Sequence, residues 1–151
     1  MPESSDPQIN KMLFGEVLVK RNKITAEQLA QALEIQQKDQ RFLGEILVQL
    51  GFIDERDIVA ALIVQYGFAY IAINKYAIDK KIVKLIPEDT ARTYHLIALD
   101  KVGEILSVVM ENPLDLQIRE KLGALTRCRI APFISTKTEI DEAIKKWYSK
   151  S

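Results

Sequence analysis

The feature that most constrains this chain is a duplication near its start. Positions Phe14 to Gln37 and Leu43 to Tyr66 carry one pattern twice, displaced by 29 residues over 24 positions. Eight pairs are identical: Gly15/Gly44, Glu16/Glu45, Leu18/Leu47, Val19/Val48, Ile24/Ile53, Ala32/Ala61, Leu33/Leu62 and Gln36/Gln65. Each copy opens with a short run of apolar residues at helical spacing, breaks at Asn22 or Gly51, and resumes in a second helix. Asn and Gly both tolerate the left-handed conformation that ends a helix, so the break has a mechanism. Thr25 followed by Gln28 forms a capping box for the second helix of the first copy, and Asp54 caps its counterpart. The spacing predicts two packed helical hairpins over residues 11–66. Ahead of them, residues 1–10 hold two prolines and two serines without apolar periodicity, which predicts a flexible leader.

After Gly67 the periodicity changes. Short β-rich runs at Phe68 to Ile73, His95 to Val102, Ile105 to Met110 and Arg127 to Ser135 predict strands, the middle two joined by a tight turn at Gly103-Glu104. Helical pieces are expected at Lys80 to Leu85 and Glu88 to Tyr94 around Pro87. Another is expected after Asn112, with Pro113 at its first position, and a last one from the Thr136/Glu139 capping box to Trp147 or Tyr148. The fold class is α+β: a helical subdomain of two tandem hairpins, then a small α+β subdomain over 67–151 with a mainly antiparallel sheet.

Composition narrows the function. A hydrophobic content of 48% is enough for a core, and 21 basic residues balance 21 acidic ones, leaving no broad cationic field for a phosphate backbone. Nucleic acid is therefore not an expected partner. Cut at Tyr66, the halves lean to minus three (seven basic, ten acidic) and plus three (fourteen basic, eleven acidic), too little to name a partner. The single Cys128 can close no intrachain disulfide and reads as a small buried apolar residue. No apolar run reaches the ~18 residues of a membrane span, and no signal-peptide pattern opens the chain, so no direct membrane insertion and a cytoplasmic location are expected. There is no phosphate-cradling Gly-Lys-Ser/Thr loop, nucleophile elbow or zinc signature, and His95 has no Cys, His or second-carboxylate companion at metal spacing. Neither a catalytic nor a metal-ligating residue is expected.

Leu43-Gly44-Glu45-Ile46-Leu47-Val48, Gly51-Phe52-Ile53, Ile86-Pro87-Glu88, Glu111-Asn112-Pro113-Leu114-Asp115 and Ile140-Asp141-Glu142-Ala143-Ile144 with Trp147-Tyr148 follow one another at a telling spacing. In that order the chain resembles, from about Lys11 to Tyr148, the N-terminal regulatory domain of type II secretion and type IV pilus assembly ATPases, the MshEN type, without the motor. The resemblance implies a non-enzymatic module that works with secretion or pilus machine proteins and is recruited to the inner membrane through a partner. It also implies a regulatory ligand, cyclic di-GMP, with no other cofactor, held by a tandem motif of Arg-Leu-Gly, spaced leucines, a glycine and a terminal glutamine. Carried over, the first copy offers Phe14, Gly15, Leu18, Ile24, Leu29, Leu33 and Gln36, and the second Leu43, Gly44, Leu47, Ile53, Ile58, Leu62 and Gln65. The motif arginine is replaced by Leu13 and Phe42, while Arg41 stands one residue early; Asn22 takes the place of the first copy's second glycine.

Two readings of these residues stay open on the sequence. Glycines early in a helix let a flat base or a phosphate approach the backbone, exposed amides near a helix start favour phosphate, and paired leucines supply apolar surface beneath a purine. Alternatively the leucines are the core of two packed hairpins, the glycines permit close helix packing, and the glutamines are solvated amides. The first reading gives a nucleotide sensor; the second gives a protein-docking module with no nucleotide.

Overall fold

The computed structural model describes residues Phe14 to Tyr148. The expected leader and Leu13 lie outside the described residues. The chain divides into two compact units, one ending at Gly67 and one beginning at Phe68.

The first unit is four helices: α1 (Phe14–Lys20), α2 (Ala26–Asp39), α3 (Leu43–Gln49) and α4 (Glu55–Tyr66). The duplication is visible in their backbone. α1 and α3 coincide at both ends under the 29-residue shift, and α2 and α4 start at equivalent positions. Each short helix ends in the same pair of hydrogen bonds. The Lys23 amide donates to the Leu18 carbonyl and the Asn22 amide to Val19, while Phe52 donates to Leu47 and Gly51 to Val48, all at 2.9–3.0 Å. This is a Schellman closure, and it requires the left-handed residues found there, Asn22 (φ 61°) and Gly51 (φ 82°). Both capping boxes form, Thr25 with Gln28 and Asp54 with Asp57. The copies part only at the end: α4 stops at the left-handed Gly67, whereas α2 runs two residues further in register to a left-handed Gln40. Leu18 and Leu47, equivalent in the repeat, are both fully buried in its core.

The second unit wraps helices around a three-stranded sheet. A 3-10 turn (Ile73–Lys75) and helices α5 (Lys80–Val83) and α6 (Glu88–Tyr94) lead into strands β1 (Leu96–Val102) and β2 (Ile105–Met110). Helix α7 (Leu116–Thr126), strand β3 (Arg129–Ile134) and helix α8 (Lys137–Tyr148) complete it. β1 and β2 pair antiparallel through the expected turn, with Gly103 at φ 61°. β2 and β3 pair parallel, because α7 carries the chain back to the starting end of the sheet. The sheet is thus mixed rather than mainly antiparallel. Leu96, Ile97 and Ala98 are buried in succession, which a strand achieves only when both of its faces are covered.

Three expectations need correction. Phe68 to Ile73 is not a strand of the sheet: only Tyr70 bridges Ile134, and the chain turns into the 3-10 segment at Ile73 before a ladder can extend. Asn112 does not cap α7. Its side chain accepts from the Leu114 amide in a turn containing Pro113, and Asp115 caps the helix by accepting from the Ile118 amide at 3.1 Å. Cys128 precedes β3 and is half-buried, since Arg127 takes the left-handed cap of α7 and delays the strand to Arg129. α8 begins at the expected capping box and is pinned by the Tyr148 hydroxyl, which lies 2.7 Å from the Ile86 carbonyl and 3.0 Å from that of Val83.

Candidate functional site

The residues that the tandem motif singles out all lie in the first unit, and they sort sharply by exposure. Phe14, Gly15, Leu18, Ile24, Leu43, Gly44, Leu47, Ile53, Ile58 and Leu62 are buried. Leu29, Gln36 and Arg41 are half-buried, and Leu33 and Gln65 are exposed. Most of the apolar set therefore packs the hairpins, and Leu29, Leu33 and the polar members present its surface.

The buried glycines have a clear steric reason. A Cβ on Gly15 would lie 2.4 Å from Leu29 Cδ1 and 2.9 Å from Leu43 Cδ2, and one on Gly44 would lie 2.8 Å from Ile58 Cδ1 and 3.0 Å from Phe42 Cε2. Leu29 and Ile58 are themselves repeat equivalents, so each short helix receives the tip of the same residue of the following helix onto its glycine. Phe42, at the first arginine position of the second copy, is half-buried; its ring stacks on Phe14 with centroids 5.6 Å apart and planes at 23°. Tyr66 extends the aromatic group at 6.4 Å from Phe14.

Gln36 and Arg41 are brought together in the link between α2 and α3. Gln36 Nε2 donates to the Arg41 carbonyl at 2.9 Å. Arg41 Nε donates to Asp39 Oδ2 at 2.8 Å, and its Nη1 to Gln49 Oε1 at 2.6 Å and Glu45 Oε1 at 3.5 Å. Asp39, Glu45 and Gln49 were not among the sequence candidates. The Arg41/Glu45 spacing of four is a signal the sequence carries, whereas the Gln49 contact spans eight residues and needs the tertiary fold. Gln65, the counterpart of Gln36, is exposed, and no hydrogen bond of its side chain occurs among the described residues.

The second unit holds none of the motif residues. Its groove of about 280 Å³ between α7 and β3 is lined by Leu116, Arg119, Glu120, Gly123, Cys128 and Ile130. Burial pulls the Arg119 guanidinium below its ordinary value. His95 is half-buried and satisfied through Nδ1, 2.9 Å from Asp141 Oδ1, while Lys137 Nζ lies 3.1 Å from Asp141 Oδ2. Burial raises the Asp141 carboxyl, but the bonds and charges of His95 and Lys137 outweigh it and the net is downward. The Tyr70 phenol is pushed up to about 12, chiefly by its 2.5 Å hydrogen bond to Glu139. No helix among the described residues is long and apolar enough to cross a membrane.

A duplicated helical hairpin followed by a helix-wrapped mixed sheet defines a two-unit α+β domain. The MshEN domain model matches residues 66–151, more than half of the chain. The chain belongs to the MshEN domain family. It is 32% identical over 137 residues to the type IV pilus assembly ATPase PilB of Myxococcus xanthus (strain DK1622), covering 91% of this chain and 24% of that protein. The chain spans less than a quarter of the length of the curated relatives it matches. A solved structure of MshE with cdg aligns at a TM-score of 0.72 and 27% identity, covering 91% of this chain and 100% of that one. The N-terminal domain of XpsE aligns at a TM-score of 0.76 over 97% of this chain and 98% of that one, and at 19% identity it speaks for the fold alone. The family match and these similarities place the chain with MshEN domains, and its relatives include type IV pilus assembly ATPases.

Proposed function

We propose that this chain is a non-enzymatic regulatory module that senses cyclic di-GMP through its tandem helical repeat and passes that state to a protein of a secretion or pilus machine. The observation that carries the reading is the alignment with MshE, solved with cdg, over 91% of this chain. The equivalent backbone of the two copies supports it, since two matched hairpins suit a ligand with two matched bases. In this reading residues 11–66 are the sensing subdomain and 67–151 the α+β subdomain. The module is cytoplasmic and reaches the inner membrane only through its partner.

The filled glycine faces favour one competing reading. With Leu29, Leu43, Ile58 and Phe42 already seated on Gly15 and Gly44, the repeat can serve as a packing device, and exposed Leu33, Ile63 and Val64 on α2 and α4 can dock a protein. Titration calorimetry with cyclic di-GMP separates the two. The sensor reading expects saturable heat with weakened affinity, because each missing motif arginine forgoes a charged hydrogen bond of about 1.5–3 kcal/mol, and 1.4 kcal/mol is about tenfold. Phe42→Arg is expected to tighten binding. If neither the natural chain nor that variant, still folded, gives heat, the docking reading stands alone. The non-enzymatic reading is overturned by magnesium-dependent release of phosphate from ATP or GTP above background.

A further inference from the structure

We propose that Arg41 is the phosphate-facing cation of the ligand site and that Asp39 and Glu45 are internal counter-anions which the ligand displaces; this rests on the cyclic di-GMP reading above. Arg41 stands one residue before the motif position held by Phe42, and another motif residue holds its backbone, since Gln36 Nε2 donates to its carbonyl at 2.9 Å. A ligand with two phosphates needs such a partner, and a guanidinium cannot lose its charge to escape the role.

The guanidinium is occupied but not saturated. Nε is held by Asp39 at 2.8 Å and Nη1 by Gln49 at 2.6 Å, while the Glu45 contact is long at 3.5 Å, and Nη2 makes no bond among the described residues. Half of the fork is therefore free for an anion. Its side chain is 32% exposed and that of Asp39 48%, and ion pairs so open to water are weak. A phosphate bound through two parallel N–H donors is stronger, so exchange of carboxylate for phosphate runs in the ligand's favour. Gln36 acts through Arg41 as a positioning residue: its amide fixes the backbone from which the arginine projects. This gives the motif's closing glutamine a task that its equivalent, the exposed Gln65, does not share.

Two opposed substitutions test the arrangement by calorimetry with cyclic di-GMP, each variant first checked for an unchanged circular dichroism spectrum and melting midpoint. Arg41→Ala is expected to weaken binding about tenfold or more, the loss of one charged hydrogen bond. Asp39→Asn is expected to strengthen it several-fold. Removing a carboxylate also helps any anion by long-range attraction, so the decisive measurement is the double variant: the gain from Asp39→Asn must vanish when Arg41 is alanine. Where the natural chain gives no heat, binding by Asp39→Asn supports the proposal if it disappears in the double variant and overturns it if it survives there. Unchanged affinity in Arg41→Ala, or a gain that survives in the double variant, overturns the proposal and leaves the sensor reading standing. If the natural chain, Asp39→Asn and Phe42→Arg all give no heat, both fall.

Discussion

Replacing Gly15 by alanine sets two effects against each other at one atom. In a helix interior alanine is favoured over glycine by about 1 kcal/mol, and at the second residue of α1 that is an upper bound. Against it stands the 2.4 Å approach of the new Cβ to Leu29 Cδ1 and the 2.9 Å approach to Leu43 Cδ2. Carbon atoms settle about 3.5–4.0 Å apart, so the Leu29 methyl must retreat by roughly 1 Å. Leu43 is 7% exposed and has nowhere to turn, while half-buried Leu29 can rotate outward. Overpacking of this kind costs about 1–3 kcal/mol, and a value near the middle leaves a net loss of about 1 kcal/mol. Urea unfolding followed by far-ultraviolet circular dichroism is the suitable assay, because the first unit is built of helices and the one tryptophan, Trp147, belongs to the second. In a Leu29→Ala background the main overlap is gone and only the approach to Leu43 remains, so the loss on Gly15→Ala should shrink. A rise in the urea midpoint on Gly15→Ala alone would refute the reasoning, because it would mean that the leucines yield freely and the glycine is not required by packing.

Three further outcomes are expected. Gln40→Gly should stabilise the first unit by about 1 kcal/mol in the same assay, since a side chain at φ 60° costs about 1–2 kcal/mol that glycine does not. In an ultraviolet titration of the five tyrosines, one step near pH 12 should disappear in Tyr70→Phe. Because the folded phenol is raised above its ordinary 10.0, its contribution to stability is present below pH 10 and is lost as pH rises through about 12. Asp141→Asn should flatten the acid side of the stability profile: its carboxyl is depressed in the fold, so its contribution is present above the ordinary carboxylate range and is lost as pH falls below it.

What the sequence reveals here depends on how local the determining chemistry is. The breaks at Asn22 and Gly51, the capping boxes at Thr25, Asp54 and Thr136, and the Gly103-Glu104 turn are legible because each is a contest between a few adjacent groups. The start of α7 is misplaced from Asn112-Pro113 to Asp115 because two cap-like residues lie three apart, and only packing of Ile118 and Leu122 into the core decides between them. Phe68 to Ile73 reads as a strand by composition, yet a strand needs a free edge along its whole length, and Tyr70 meets β3 only at Ile134. The direction of β3 follows from the return of α7, which composition does not encode. At the candidate site the glycines are legible as requirements for space, but not what fills the space: Leu29, Leu43 and Ile58 are repeat positions, yet that Leu43 of the second copy closes on Gly15 of the first, and that the Phe42 ring folds back onto Gly44, depends on the tertiary fold.

The duplication is also less symmetrical where a ligand would feel it than where the chain folds. The backbones match in helix starts, in caps and in the closing hydrogen bonds at Lys23 and Phe52, and both glycines receive equivalent side chains. The polar groups do not match. Gln36 is tied to the Arg41 carbonyl and Gln65 is exposed; Arg41, just ahead of the second copy, has the uncharged Met12 as its counterpart ahead of the first. The cover of the glycines points the same way, since Phe42 covers Gly44 while Gly15 is covered by aliphatic carbons. A twofold-symmetric nucleotide engaging this repeat would therefore meet two unequal half-sites, with its charged contact on one side. Such a ligand should lose most of its affinity from substitutions at Gln36 and Arg41 and little from Gln65→Ala. Equal losses from Gln36→Ala and Gln65→Ala in calorimetry would show instead that the matched backbone, and not the unmatched side chains, governs recognition.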